Sequence, residues 1–172
     1  MTQQVPNKPQ HPPIYTPEER RRRDASPWTI VQGVLAPLQF LVFLVSLYLV
    51  LRYLATGEGY LAATWSVVIK TLVLYTIMIT GSIWEKEVFG QYLFARPFFW
   101  EDVFSMLVLA LHTAYLVSLL TLDHQAQMFI ALAAYATYVI NAAQFLIKLR
   151  VARLEGQAQR QEAQGVLAEA AE

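Results

Sequence analysis

The chain has 172 residues, 56% of them hydrophobic and 15% charged, with 13 bases against 13 acids. A soluble domain carries about 25% charged residues, so this deficit points to a one-domain membrane protein. The zero formal charge gives no electrostatic case for nucleic acid as a partner, and the lack of cysteine excludes disulfides, iron–sulfur clusters and thiolate zinc sites.

Residues 1–27 form a polar, proline-rich arm with the basic run Arg20 to Arg23, expected to be disordered up to about Thr16. "TPEER" supplies an N-cap (Thr16), a proline at the first helical position (Pro17) and early acids (Glu18, Glu19), so a short surface helix can start there. Four apolar stretches follow within 28–153. Thr29 to Leu51, Val103 to Leu122 and Gln125 to Ile147 hold no Asp, Glu, Lys or Arg, and Leu61 to Trp84 holds Lys70 alone. Spanning the hydrocarbon takes about 20 residues of helix, and lipid leaves such runs little choice other than helix. The expected fold is all-α, a four-helix membrane bundle with helices at about 29–52, 61–84, 101–122 and 125–149. Pro37 is expected to kink the first helix or mark its first turns. No run has the length or cleavage site of a targeting peptide. The tail, 154–172, is polar and carries no chemistry.

Basic residues orient the bundle. Arg20 to Arg23 precede the first helix, Lys86 and Arg96 lie between the second and third, and Lys148, Arg150 and Arg153 follow the fourth. The other two loops hold no Lys or Arg, so both termini are expected in the cytoplasm. Trp28, Trp84 and Trp100 fall at that interface and Trp65 at the opposite one.

The second connector, "WEKEVFGQYLFARPFFWED" from Trp84 to Asp102, gathers Glu85, Glu87, Glu101 and Asp102 against only Lys86 and Arg96. Acids suit a helix N-terminus, which accounts for one of Glu101 and Asp102; a pair facing Glu85 is more than a connector needs. Crowded carboxyl groups at a membrane interface are expected to push at least one pKa upward, through desolvation and like-charge repulsion. An acid that keeps its proton near neutral pH can donate it.

A 3.6-residue period aligns Thr71, Tyr75, Met78, Ser82 and Glu85 on one face of the second helix. It aligns Glu101, Ser105, Val108, His112 and Tyr115 on the third, and Tyr138, Asn141 and Phe145 on the fourth; the first helix adds Gln32 and Gln39. Polar groups are costly toward lipid, so these stripes are expected to turn inward and line a groove with acids at its cytoplasmic mouth. Plainer roles stand beside that reading. Gln39, Ser105 and Asn141 suit interhelical hydrogen bonding, the tryptophans suit interfacial anchoring, and Lys70 suits snorkelling to the outer interface. Glu87 and Lys86 read as solvated, and His11 and His124 as exposed. His112 is the one histidine inside the bilayer, which makes it a functional candidate. No nucleotide loop, paired-histidine zinc pattern or nucleophile elbow occurs.

Three runs carry a family resemblance: "WTIVQGVLAPLQFLVFLVSLYLVLRYLATGEGY", "MITGSIWEKEVFGQYLFARPFFWEDVFSMLVLALHTAYL" and "YVINAAQFLIKLR". From Tyr15 to Arg153 the chain resembles the 3-vinyl bacteriochlorophyllide hydratases of anoxygenic phototrophs. The resemblance implies a hydro-lyase that adds water to the ring-A vinyl of a chlorophyllide or bacteriochlorophyllide, giving a 1-hydroxyethyl group. It implies no cofactor and no metal of the protein's own, since magnesium belongs to the substrate. Membrane lipid and neighbouring bacteriochlorophyll-pathway enzymes are the other expected partners.

Vinyl hydration begins with protonation of the terminal CH2, which leaves a cation beside the macrocycle. The expected catalytic residues are therefore Glu85, Glu101 and Asp102, one as general acid and another orienting water. Tyr75, Trp100, Tyr115 and Asn141 are expected pigment contacts, Arg96 a partner for the substrate's free carboxylate, and His112 a ligand of its magnesium or a hydrogen-bond partner of Tyr115 or Asn141. Glu101 and His112 stand about 16 Å apart along a helix at 1.5 Å per residue, which exceeds the distance from magnesium to vinyl. The alternative is a non-enzymatic pigment or quinone carrier or an assembly factor, which would not need the carboxylates. A transporter is a third reading, weakened by the scarcity of polar residues in the outer half.

Overall fold

The computed structural model describes residues 13–169; His11 and most of the stretch expected to be disordered lie outside the described residues. Five helices follow one another: α1 (Pro17–Ala25), α2 (Pro27–Thr56), α3 (Tyr60–Phe89), α4 (Phe99–Ser118) and α5 (His124–Glu169), with no strand among the described residues. Helices α2 to α5 are each long and apolar enough to cross a membrane.

Local chemistry sets the helix ends. Thr16 Oγ1 accepts the Glu19 N–H while Glu19 Oε2 accepts the Thr16 N–H, a reciprocal cap that starts α1. Ser26 ends α1 and opens α2, taking the Trp28 N–H and donating its hydroxyl to Glu87. Helix α2 runs through Pro37. It stops at Gly57, whose φ of +73° is left-handed and costs glycine little. Helix α4 ends earlier than its apolar run suggests because Gln127 reaches back from α5. Its amide nitrogen donates to the Ser118 and Leu122 carbonyls, satisfying groups a helix end leaves open. Helix α5 continues well past the apolar run into the Ala/Gln/Glu-rich tail.

The four long helices pack chiefly as two hairpins, α2 along α3 and α4 along α5. Phe43, Leu74, Val108, Tyr115, Tyr135 and Tyr138 fill the centre, and Ala131 and Ala134 let α5 approach closely. The Ser46 hydroxyl meets Tyr135 Oη at 2.5 Å and Ser66 Oγ at 2.7 Å. Leu41, Val45, Ile69 and Leu72 cover the outside, as a lipid-facing surface requires.

At the end where α3 turns into α4, the N-terminal segment folds over the bundle. Tyr15 is buried, its ring stacked on Phe89 at 5.7 Å and near Phe98 at 6.2 Å; Trp84 meets Phe98 edge-on and Phe145 stacks on Phe98 at 6.2 Å. Burial pushes the Tyr15 phenol up to about 12, partly opposed by the Arg23 guanidinium over its ring. The Ile14 N–H donates to Glu155 on the extension of α5 at 3.0 Å. Phe98 is the shared partner in this cluster, so Phe98→Ala should cost about 3–5 kcal/mol. The thermal unfolding temperature should drop, and trypsin should cut at Arg20 to Arg23 faster than in the parent.

Candidate active site

The connector Gly90–Phe98 decides where the acids go. Gly90 ends α3 with φ +85°, and Phe94 takes φ +61°, a left-handed conformation that side-chain-bearing residues seldom hold. That turn aims two successive amides at two different helices. The Phe94 N–H donates to Asp102 Oδ2 on α4 at 2.7 Å, and the Ala95 N–H donates to Glu85 Oε1 on α3 at 2.5 Å. The two carboxyl groups, one from each helix, are thereby held on neighbouring amides of one turn. Glu85 is 3% exposed, Asp102 6% and Glu101 7%, so none of the three is splayed into solvent.

Glu101 has a different environment from the other two. Its Oε1 lies 3.1 Å from Lys148 Nζ, and the same ammonium donates to the Pro97 carbonyl at 2.6 Å. The contact is a charge-assisted pair that ties α4 to α5. Sequence reasoning counted Lys148 only as a topology signal. The missed clue is its phase: Tyr138, Asn141, Phe145 and Lys148 recur at helical spacing on one face of α5.

Interior and open space divide in an unexpected way. The α4 stripe does face inward, with Ser105, Val108, His112 and Tyr115 all buried. It lines no open groove, because Phe43, Tyr135 and Tyr138 close over it. A shallow cavity of about 280 Å³ opens instead on the outer side of the α3–α4 seam, lined by Tyr75, Met78, Ile79 and Leu109, and a smaller one of about 180 Å³ lies at the far end of α2, by Tyr53, Leu54, Gly57 and Gln125.

The sequence profile of 2-vinyl bacteriochlorophyllide hydratase matches residues 15–151. The chain belongs to the 2-vinyl bacteriochlorophyllide hydratase family. A 2-vinyl bacteriochlorophyllide hydratase of Rhodobacter capsulatus is 70% identical over 155 residues, covering 88% of this chain and 91% of the relative. One of Cereibacter sphaeroides is 71% identical over 149 residues, covering 86% and 93%. No solved structure matches. The "2-vinyl" of these names and the 3-vinyl of the resemblance are two numberings of one ring-A substituent.

Other residues singled out in this hydratase sequence are scattered. His112 is fully buried, its Nδ1 lies 2.8 Å from the Val108 carbonyl, and its Nε2 meets no hydrogen-bond partner among the described residues. Neither Tyr115 nor Asn141 is its partner; Asn141 donates to Ser105 Oγ at 2.8 Å and ties α5 to α4. Tyr115 is buried among the core residues. Tyr75 Oη pairs with Thr113 Oγ1 at 2.8 Å. Arg96 and Trp100 are exposed at the connector. His124 is exposed yet stacked on Tyr60 at 3.6 Å.

Lys70 requires a correction. It does not snorkel outward: it is fully buried, with Nζ 3.8 Å from the centre of the Tyr138 ring and no hydrogen-bond partner among the described residues. Its place on the helix turns it into the bundle with Thr71 and Leu74, where the aromatic face of α5 receives the amine.

Unfolding temperatures distinguish the buried Lys70 from the half-buried Lys148. Lys148→Met should lower the unfolding temperature by leaving Glu101 buried without its ammonium, and Glu101→Gln in the same chain should restore much of the loss. Lys70→Met should hold or raise the unfolding temperature, because it removes a desolvated amine without breaking a hydrogen bond.

Proposed function

We propose that Glu85 and Asp102 are the acid–base pair of this vinyl hydratase. The chain is a hydro-lyase acting on a tetrapyrrole vinyl group, as its family membership implies. The observation that carries the residue assignment is the convergence of two buried carboxyl groups from different helices on neighbouring amides of one connector. Glu101, held by Lys148, serves the architecture.

The reaction needs one proton held by the pair. The protonated member gives it to the terminal CH2 of the vinyl, forming a C–H bond and leaving a cation at the inner carbon, delocalised into the macrocycle. The carboxylate so formed, with its neighbour, places negative charge beside that cation. A water attacks the inner carbon and passes its proton to the other carboxyl group. The pair ends with one proton, as it began, with the roles exchanged. General acid assistance of this kind is worth about 10²–10⁴-fold, and holding the water in line adds to it.

Each member also accepts one backbone N–H, which orients the carboxyl groups without supplying a permanent counter-charge. The aromatic cluster of Tyr15, Trp84, Phe89 and Phe98 packs beside the connector and restricts bulk water. We place this end of the bundle at the cytoplasmic face of the inner membrane, with both termini on that side, because Arg20 to Arg23, Lys86, Arg96, Lys148, Arg150 and Arg153 gather there. Chlorophyllide or bacteriochlorophyllide is the substrate and brings its own magnesium, and the mechanism uses no further cofactor. Surrounding lipid and adjacent pathway enzymes are its proposed neighbours.

The test uses membranes holding the protein, chlorophyllide a, and mass analysis for the gain of one water. Glu85→Gln and Asp102→Asn should each lower turnover by about 10²–10⁴-fold while pigment binding persists. Glu101→Gln should keep turnover in the parent range. Undiminished hydration by either the Glu85→Gln or the Asp102→Asn variant removes the pair from the chemistry.

A further inference from the structure

The acid pair is closed from the connector side, since the backbone of Phe94 and Ala95 lies directly over both carboxyl groups. The substrate must reach it another way. Helices α3 and α4 touch less extensively than the helices within either hairpin. Two polar ties cross their seam. At one end the connector amides hold Glu85 and Asp102; at the other, Tyr75 Oη pairs with Thr113 Oγ1 at 2.8 Å.

These ties are nearly in register. Tyr75 and Glu85 are ten residues apart on α3, and Asp102 and Thr113 are eleven apart on antiparallel α4. At 1.5 Å per residue the untied stretch is about 15 Å long, the scale of a substituted chlorin ring. The cavity of about 280 Å³ lies within it, walled by Met78 and Ile79 on one side and Leu109 on the other. Helical period carries each wall into the acids: Met78, Ser82 and Glu85 share a face of α3, and Leu109, Met106 and Asp102 share one of α4. Ile79 is 62% exposed, so the opening faces the lipid side of the bundle.

We propose that this α3–α4 seam is a lateral window that receives the tetrapyrrole macrocycle from the lipid, vinyl edge first toward Glu85 and Asp102. The inference rests on the hydratase reading and assigns it a binding site and an entry direction. A flat apolar ring dissolved in the bilayer gains little by passing through water. An apolar slot whose walls run along the helices toward the acid pair would admit it without exposing the cation to bulk solvent. Met78 is suited to such a wall, since its unbranched thioether adapts to an aromatic face. The enclosed polar stripe at His112 has no comparable opening.

The chain contains no cysteine, so single-site labelling is direct. Ile79→Cys and, as a control on the lipid-facing side of α2, Val45→Cys are labelled with bimane in nanodiscs, and chlorophyllide a is added. The window requires saturable quenching at position 79, competed by unlabelled pigment, with only weak nonsaturable quenching at position 45. Met78→Trp and Leu109→Trp, which narrow the seam, should raise KM about tenfold with kcat little changed, the signature of lost ground-state binding. Quenching at position 79 by brominated lipid with no response to pigment makes the seam a lipid contact and overturns the proposal. So does hydration with unaltered KM in both tryptophan variants. Saturable quenching in a protein that hydrates no vinyl pigment supports the window while removing the hydratase reading, so the two fail separately.

Discussion

Two consecutive amides, those of Phe94 and Ala95, each bind a carboxyl group from a different helix. This contact closes α3 onto α4, and the positive φ of Phe94 makes it possible. An extended residue there would send successive N–H groups to opposite sides, as in a strand; the left-handed turn sends both inward. Strain of this kind costs about 1–3 kcal/mol and persists where surroundings over-determine it. The surroundings here do so: Phe94 rests on Phe99, Phe98 is held by Trp84, Phe89 and Phe145, and Lys148 fastens the Pro97 carbonyl. Tyr15 and α1 cover that cluster from outside. The N-terminal segment thus supports the acids from a distance, by fixing the aromatic residues that fix the connector.

The rest of the interior answers to lipid. Polar side chains face one another across seams: Ser46 with Tyr135 and Ser66, Asn141 with Ser105, Gln32 with Thr80, Tyr60 with Gln127. Several threonine hydroxyls on the outer faces return to the carbonyl one turn back, which costs the helix little and spares an exposed donor. Such bonds are worth about 1–2 kcal/mol or less apiece; their effect is to set the rotation of each helix. With the rotation set, Glu85 and Asp102 arrive at the connector on facing sides.

Much of this was legible in the chain. The four charge-poor runs could be little else than helices in lipid, and Thr16, Pro17 and Glu19 announced α1 by known capping chemistry. The acid excess around the connector marked the candidate site, because lipid interfaces do not collect carboxyl groups without cause. Pairing was not legible. Lys148 and Glu101 are far apart in sequence, and a basic residue after a membrane helix already had a sufficient explanation in topology. Lys70 deceived for a related reason: a lone lysine in an apolar run snorkels by default, and only the position of Tyr138 on another helix supplies an aromatic face within the bundle. Likewise the length of α4 was misjudged, since its end depends on a glutamine reaching back from α5. Periodicity tells which face turns inward. It does not tell which partner waits there, or whether the space between is open or filled.

That last distinction shapes the chemistry. Had the inward stripes enclosed an open groove, His112 would have stood beside a pigment deep in the bundle, with the acids at its mouth. With Phe43, Tyr135 and Tyr138 filling the centre, the same residues instead form a rigid wall, and the proposed room for a ligand shifts to the α3–α4 seam, tied at one end by the connector and at the other by Tyr75 and Thr113. A seam has an advantage for a hydration. In the proposed mechanism the macrocycle would carry its developing positive charge into an apolar slot, where the nearest compensating charge is the carboxylate just left by the departing proton. In water that attraction would be screened roughly twentyfold more than in a dry interior. On that proposal, proton donor, counter-charge and acceptor for the water's proton are the same two groups, each held by a peptide N–H of the connector. The proposed step is redox-neutral, because the proton lent to the vinyl is returned by the water that attacks it.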